Sequence, residues 1–219
     1  MTDHNDMFFP ELDPAGIERK SFEIIRSEAG DRIPDDERGP VITRVVHTTA
    51  DFEYLDTLRF SDGAVRAGMD AIRNGAWIIT DTNMALAGIN KKSLSRWGGQ
   101  ARCYMADESV AERARKLGKT RASVSVDEVA RLSCPVIYAV GNAPTALLRL
   151  HELIREGSFR PRLVIGVPVG FVNVVHAKEC IMQTDVPYIV AQGRKGGSTV
   201  AACIINALLY MLDGSREDI

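Results

Sequence analysis

Short apolar runs alternate with helical patterns along the chain after residue 75. The runs cover residues 76–80, 101–105, 135–140, 163–167 and 188–191. Runs of about five residues that are apolar throughout, each followed by a turn residue, are typical of strands buried on both faces. Apolar residues at helical spacing lie between them, over residues 108–117, 145–155 and 198–212. This alternation predicts a three-layer α/β/α fold with a parallel sheet of about five strands.

The first third of the chain carries helical patterns instead. Asp13 and Pro14 predict the start of a helix whose apolar side would carry Ile17, Ser21, Ile24 and Ile25. Another helix is predicted between a cap at residues 61–62 and a stop at residues 74–75. Residues 1–219 contain no linker, low-complexity tract or internal repeat, so we expect one domain with a helical N-terminal segment and a flexible stretch over residues 1–12.

A helix over residues 40–51 is the segment with the most suggestive chemistry. Valine and isoleucine recur at helical spacing and give it an apolar side. Arg44 and His47 are three residues apart, so they project from nearly the same face. A permanent cation would thus lie beside a group that titrates near neutral pH. The plainer interpretation is an amphipathic helix with one hydrogen-bonded histidine.

Composition excludes several classes of protein. The 219 residues include 45% hydrophobic and 26% charged residues and carry a net charge of −2, which argues against nucleic acid as the main partner. No apolar run approaches the roughly 20 residues that span a bilayer, and the polar N-terminus does not resemble a signal peptide. The four cysteines are scattered without a Cys-x-x-Cys pair, so we expect a cytosolic protein with reduced thiols.

Polar loops follow four of the predicted strands, over residues 81–84, 141–146, 168–172 and 193–199. Ligands of open parallel sheets bind beyond the carboxyl ends of the strands. The last loop, from Gly193 to Thr199, combines glycines with Arg194 and Lys195 ahead of a helix. Backbone N–H groups in such a loop favour a phosphate or a carboxylate. The loop matches neither Gly-x-Gly-x-x-Gly nor the Walker pattern, and a simple turn explains it equally well.

Cationic side chains suggest the chemistry of a ligand. Arg44, Arg194 and Lys195, together with Arg121 in the polar loop 118–123, would suit a molecule with several carboxylates. The alternative for each is solvated surface charge. The four histidines lack metal-ligand spacing, and no nucleophile elbow is present. General acid–base chemistry, or hydrogen-bond donation by one histidine, is therefore the remaining catalytic option.

Several stretches, in this order and spacing, make the chain resemble the precorrin-8X methylmutase family (cobalt-precorrin-8 methylmutase in the anaerobic route) of corrin biosynthesis. The resemblance extends from Ile17 to about Leu209, and no single motif carries it alone. Its stretches are residues 18–26, 44–47, 80–84, 120–121, 141–147, 168–172 and 193–198.

The resemblance implies a cytosolic isomerase, usually a homodimer that binds substrate at or near the subunit interface. Such enzymes move the methyl group on C-11 of the macrocycle to C-12, giving hydrogenobyrinic acid or cobyrinic acid, and hold the product tightly. His47 matches the proton donor/acceptor of the family. The expected substrate-binding residues are Ser21, Arg44, Arg121, Gly170, Arg194, Lys195, Gly196, Gly197 and Ser198. No cofactor and no metal site are expected.

Elementary chemistry agrees with this expectation. A methyl shift between neighbouring ring carbons needs no external electron donor, only a held geometry and one positioned acid. Arg44 on the same face would tend to lower the pKa of His47, and a near-neutral histidine can both give and take a proton. The propionates and acetates of a corrinoid are suitable anions for the arginines and the loop. A non-catalytic corrinoid carrier and, with less support, a nucleotide-dependent oxidoreductase are the alternatives.

One pair of residues departs from the family pattern. His176 and Ala177 stand where the family usually has Glu and Ser, just before Lys178. A changed ligand contact, even an imidazole ligand for cobalt, is one explanation. Drift at a supporting helix position is the explanation we favour, because the motifs on both sides are intact and a lone histidine is seldom a ligand.

Overall fold

A computed structural model of the chain describes residues 14–214. The strands are β1 (Leu58–Phe60), β2 (Trp77–Thr80), β3 (Ala101–Cys103), β4 (Val136–Val140), β5 (Leu163–Gly166) and β6 (Tyr188–Ala191). The helices are α1 (Pro14–Ala29), α2 (Arg38–Thr49), α3 (Tyr54–Thr57), α4 (Ala64–Arg73), α5 (Asn83–Gly88), α6 (Lys91–Arg96), α7 (Glu108–Leu117), α8 (Arg121–Val129), α9 (Pro144–Arg155), α10 (Val174–Met182) and α11 (Ser198–Asp213). The predicted α/β class is confirmed.

The six strands form one sheet in the order β1-β6-β5-β4-β2-β3. All neighbours are parallel except β1, which pairs antiparallel with β6 at the edge. The sequence pattern predicted about five strands and missed β1. This strand has three residues, of which only Leu58 is buried, so it lacks the continuous apolar run of the other strands.

Helices cover both faces of the sheet. Ile78, Ile137 and Ile165 pack in one core with α1, α2, α4, α5, α6 and α11. Their neighbours Ile79, Tyr138 and Val164 pack in a second core with α7, α8, α9 and α10. Successive strand residues point to opposite faces, so a sheet covered on both sides requires the uninterrupted apolar runs seen in the sequence.

The helical segments before the sheet differ in detail from their predicted form. The buried side of α1 carries Phe22, Ile25 and Ala29, whereas Ile17 and Ile24 are 55% and 44% exposed. The hydroxyl of Ser61 accepts a hydrogen bond from the Tyr188 N–H instead of capping α4. The predicted cap at Asp13 and the predicted flexible stretch over residues 1–12 lie outside the described residues.

Residues 14–214 contain no helix that is both long enough and apolar enough to cross a membrane. The longest helices have 16 residues, α1 and α11. α11 is buried along most of its length and packs against α2 and α5. This contact places the face of α2 that carries Arg44 beside the C-terminal helix.

Candidate functional site

The buried side of α2 fixes the orientation of its polar residues. Val41 and Val45 are fully buried against the first core, which leaves Arg44 and His47 together on the side facing α1. The helix ends at Thr49; its C-cap residue, Ala50, donates its N–H to the Val46 carbonyl and has a left-handed backbone (φ +53°) that turns the chain away. The predicted helix of residues 40–51 therefore begins two residues earlier than Pro40, at Arg38, and its predicted polar face is confirmed.

Arg44 is the most unusual charged residue of the site. Its side chain is only 7% exposed, and Nη1 lies 3.3 Å from Oε1 of Glu18 on α1. Its guanidinium carbon lies 5.3 Å from the ring centre of Phe22 and 4.7 Å from that of Tyr210. Among the described residues, Nε and Nη2 of Arg44 have no hydrogen-bond acceptor. Buried guanidinium donors without an acceptor are costly, so this site is suited to an anionic group from outside.

His47 lies beside the same aromatic ring. Its imidazole centre is 4.8 Å from the ring centre of Phe22, and the residue is half-buried. Ser21, next to Phe22 on α1, is also half-buried, and its hydroxyl donates to the Ile17 carbonyl at 3.0 Å. The hydroxyl oxygen keeps acceptor capacity for a ligand. Arg44 and His47 of α2 thus both contact Phe22 of α1, and Ser21 directly precedes Phe22 in α1.

A cavity of about 210 Å³ opens next to Arg44. Arg44 and Thr48 from α2, Met84 and Gly88 from α5, and Thr199 and Tyr210 from α11 line it. Pockets for drug-sized ligands have volumes of about 300–1,000 Å³, so this cavity accommodates only part of a large ligand. Met84, one of the lining residues, is 70% exposed, so the cavity is open to solvent at this side chain.

Cys203 on α11 also lines this cavity and is hydrogen-bonded to α2. Its thiol donates to the Arg44 carbonyl at 3.3 Å, and Sγ lies 3.0 Å from the Thr48 hydroxyl. Burial raises the pKa of Cys203 to about 11. The thiolate is the nucleophilic form of cysteine, so at neutral pH this buried thiol is structural.

The crevice between β2 and β4, where the strand order reverses, is already occupied. Oδ1 of Asp81 accepts a hydrogen bond from Gly141 N–H at 2.8 Å, and Oδ2 accepts from Asn142 at 2.8 Å and Ala143 at 2.6 Å. Burial raises the pKa of Asp81, and the three donors oppose that shift. The loop after β4 thus uses its N–H groups on an internal carboxylate and leaves none of these three for a ligand.

The loops that follow β5 and β6 are hydrogen-bonded to each other. Gly197 N–H donates to the Val167 carbonyl at 2.8 Å, and Gly170 N–H donates to the Arg194 carbonyl at 3.1 Å. Gly196 has φ +153°, and a Cβ there would lie 2.1 Å from the Val167 oxygen, so no other residue fits. Ser198 anchors the start of α11, because its hydroxyl lies 2.7 Å from that of Thr82 after β2.

The two cations of the glycine-rich loop have different surroundings. Nζ of Lys195 lies 2.5 Å from Asp51 and 2.8 Å from Glu53, and these ion pairs raise its pKa. Lys195 therefore ties the loop to the segment directly after α2. The guanidinium of Arg194 is exposed and lies 5.3 Å from the ring centre of Phe171, which is itself 81% exposed.

Arg121 is not in the same layer as His47. It is the first residue of α8, whose cap Thr120 hydrogen-bonds Thr145 at 2.9 Å, and it is exposed. α8 packs in the second core, on the face of the sheet opposite α2. Within one chain the structure therefore places Arg44 and His47 on Phe22, the neighbour of Ser21 in α1, and leaves Arg121 on the other face of the sheet.

His176, at the departure from the family pattern, is exposed on α10, and its Nε2 lies 3.6 Å from Cys180 Sγ. Ala177 is fully buried in the second core. Across residues 14–214 there is no group of three or more His, Cys, Asp or Glu side chains arranged to hold a metal ion.

Sequence reasoning missed the residues that surround Arg44. Glu18, Phe22 and Tyr210 come from α1 and α11, and only tertiary packing brings them to α2. It also missed Lys178, which is 1% exposed and donates to two carbonyls of the glycine-rich loop. Helical spacing was an available signal for Lys178, because it is four residues after Val174 and three before Ile181, both of which are buried on α10.

Comparisons with known proteins agree in one family. The family model described as CbiC, precorrin-8X methylmutase, matches residues 16–211. The chain is 43% identical over 202 residues to "Cobalt-precorrin-8 methylmutase" of Priestia megaterium, covering 92% of this chain and 90% of the relative. It is 44% identical over 207 residues to the protein of that name from Salmonella typhimurium, covering 91% and 96%. A crystal structure titled as precorrin-8x methyl mutase from Thermus thermophilus superposes with a TM-score of 0.82 at 43% identity, covering 90% and 98%.

Proposed function

Because the chain belongs to the precorrin-8X methylmutase family, we propose that it is the isomerase that moves the C-11 methyl group of precorrin-8X or cobalt-precorrin-8 to C-12. The product is hydrogenobyrinic acid or cobyrinic acid. Within the chain, the observation that supports this most is that His47 and Arg44 both contact Phe22 and that Arg44, with two buried donors lacking an acceptor among the described residues, lines a cavity.

His47 acts as the proton donor/acceptor in this proposal. The bond from the methyl group to C-11 breaks as the bond to C-12 forms within one ring system, so atoms and electrons balance without a co-reactant. The protein selects the reactive tautomer by giving a proton, or a hydrogen bond, to the ring system beside the migrating group. The half-buried position of His47 against Phe22 suits this role, because the imidazole is oriented and still reaches a ligand.

The remaining site residues bind the carboxylates and edges of the macrocycle. Nε and Nη2 of Arg44 are assigned to one carboxylate, since buried charge-assisted hydrogen bonds are strong. Ser21, the neighbour of Phe22 in α1, is assigned to bind the ligand through its hydroxyl. The joined loops supply Gly170, Arg194, Gly196, Gly197 and Ser198. Lys195 belongs to the same loop. Because it forms ion pairs with two carboxylates, its main role is to hold the loop in place.

A homodimer completes the site in this proposal. Arg121 lies on the layer opposite His47, and the cavity beside Arg44 is too small for a whole tetrapyrrole. Both observations are explained when the ligand lies between two copies, with Arg121 of one chain facing His47 of the other. The exposed apolar side chains of Met84, Ile17 and Ile24 would then be covered by ligand or by the second copy. We place this enzyme in the cytoplasm.

Conversion of substrate by the purified protein tests the proposal. Metal-free precorrin-8X and cobalt-precorrin-8 are incubated separately with the protein, and the absorbance change of the macrocycle is followed. The reactions contain a chelator and no NAD(P)H or ATP. Conversion of either substrate is expected, and the preferred one identifies the pathway branch. A spectral shift that stays stoichiometric with protein would indicate the carrier, whereas a requirement for NAD(P)H would indicate an oxidoreductase.

A further inference from the structure

Lys178 is a buried cation without a carboxylate partner. Its side chain on α10 is 1% exposed, and Nζ donates at 2.8 Å to the carbonyl oxygens of both Gly193 and Lys195. No carboxylate within residues 14–214 hydrogen-bonds this ammonium. Burial lowers the pKa of Lys178 to about 8. Burying an ammonium without a carboxylate partner costs free energy, so a buried lysine at this position calls for a functional reason.

These two hydrogen bonds determine which way the peptide units of the loop face. All peptide bonds of the described chain are trans, so in each unit the C=O and the N–H point in opposite directions. With the carbonyls of Gly193 and Lys195 directed at Lys178, the N–H groups of Arg194 and Gly196 face away from it. Neither of these N–H groups has an acceptor within residues 14–214. Outward N–H groups on a loop at a helix N-terminus form an anion site.

An independent observation points to an anion in the same place. The loop leads directly into α11, whose second residue, Thr199, lines the cavity that Arg44 also lines. Arg44 brings two buried guanidinium donors that have no acceptor among the described residues. The start of α11 thus connects the loop, with its two outward N–H groups, to the cavity that Arg44 lines, and Nζ of Lys178 is bonded to the carbonyl side of the loop.

We propose that Lys178 is a positioning residue, which turns the backbone of the loop 193–197 so that the N–H groups of Arg194 and Gly196 bind a carboxylate of the corrinoid. The inference rests on the proposed function for the identity of the ligand. Lys178 itself does not contact the ligand in this proposal; it acts through its hydrogen bonds to the carbonyl groups of Gly193 and Lys195. The loop can adopt this conformation only with glycine at position 196, because a Cβ there would collide with the Val167 oxygen.

Binding measurements on Lys178→Gln and Lys178→Met test this role, with Lys116→Gln on the exposed end of α7 as the matched control. The ligands are hydrogenobyrinic acid and the same macrocycle with its side-chain carboxylates converted to amides. We expect both Lys178 variants to bind the acid about tenfold or more weakly, since charge-assisted hydrogen bonds are lost, and the amide almost normally. KM should rise while kcat changes little, because His47 is untouched. Wild-type affinity for the acid in a folded Lys178→Gln would overturn the proposal.

Hydrogen exchange on the wild-type protein gives a second test that holds even where the variants do not fold. Addition of hydrogenobyrinic acid should slow the exchange of the Arg194 and Gly196 amides, and the amidated macrocycle should slow it much less. If the acid binds and substrate is converted while these two amides exchange as before, Lys178 has no such role and the proposed function stands. If the protein neither binds nor converts any corrinoid, both proposals fail.

Discussion

Oδ1 of Asp81 lies 2.8 Å from the backbone nitrogen of Gly141, and this hydrogen bond joins the ends of β2 and β4. Together with the bonds from Asn142 and Ala143, it fills the crevice where ligands of open parallel sheets commonly bind. The ligand of this protein is therefore expected beside α2 and the loop before α11. Asp81 supports the start of α11 indirectly, because the neighbouring Thr82 is hydrogen-bonded through its hydroxyl to Ser198.

Asp81→Asn should lower the free energy of unfolding by about 2–4 kcal/mol. The amide nitrogen cannot accept, so at least one buried N–H group loses its acceptor and the remaining bonds lose their charge. Urea unfolding measures the change, with Asp70→Asn at an exposed position of α4 as the control. A loss no larger than that of the control would mean that the carboxylate does not hold the loop after β4.

Arg44→Met should weaken the binding of hydrogenobyrinic acid by about 1.5–3 kcal/mol, because a charge-assisted hydrogen bond is lost while the aliphatic packing between Phe22 and Tyr210 is kept. Equilibrium titration measures the affinity, and the effect should shrink for the amidated macrocycle. Arg96→Met is a matched control, since Arg96 pairs with Asp213 away from the cavity. Equal loss for acid and amide would assign Arg44 to folding alone.

Mixed dimers test whether Arg121 and His47 act across subunits. His47→Ala and Arg121→Ala chains are unfolded together, refolded and assayed below the KM of the wild type. Random pairing makes half of the dimers hybrids with one of two sites intact, so about a quarter of wild-type activity should return. Activity equal to the mean of the two parent variants would show that both residues serve the same chain or that no dimer forms.

The affinity for hydrogenobyrinic acid should fall as the pH rises through about 8, the pKa to which burial lowers Lys178. A bound carboxylate favours the ammonium form and raises its pKa, so above pH 8 binding must take up a proton and becomes weaker. The ion pairs of Lys195 with Asp51 and Glu53 raise the pKa of Lys195, so its titration lies above this range. Titrations between pH 7 and 9.5 should show this slope in the wild type and not in Lys178→Gln. The same slope in both proteins would contradict the assignment.

The layered fold was predictable because its signals are local. Buried strands produce continuous apolar runs, and the observed β2, β4, β5 and β6 agree with the predicted runs to within one residue at each end. Strand β1 escaped prediction because its single buried residue, Leu58, leaves no pattern. The exposure of Ile17 and Ile24 was also unpredictable, because helical spacing alone does not distinguish a buried apolar side chain from an exposed one.

The site was predictable only where its residues share an element. Arg44 and His47 lie one helical turn apart, so their proximity follows from helical geometry alone. The contacts of Arg44 with Glu18 and Tyr210, and of Lys178 with the loop, depend on how α1, α10 and α11 pack. The layer of Arg121 likewise depends on topology, which no spacing along the chain encodes.

The central claim is that His47 transfers the proton, and single-turnover conversion by His47→Ala tests it most directly. Wild type, His47→Ala and the control His176→Ala are each loaded with precorrin-8X or cobalt-precorrin-8 in excess of its dissociation constant, and the absorbance change is recorded. We expect His47→Ala to bind the corrinoid normally and to convert it about 10²–10⁴-fold more slowly, the usual contribution of a general acid–base group. His176→Ala, altered at the exposed histidine of α10, should react like the wild type. Turnover by His47→Ala within a few-fold of the wild type would contradict the account.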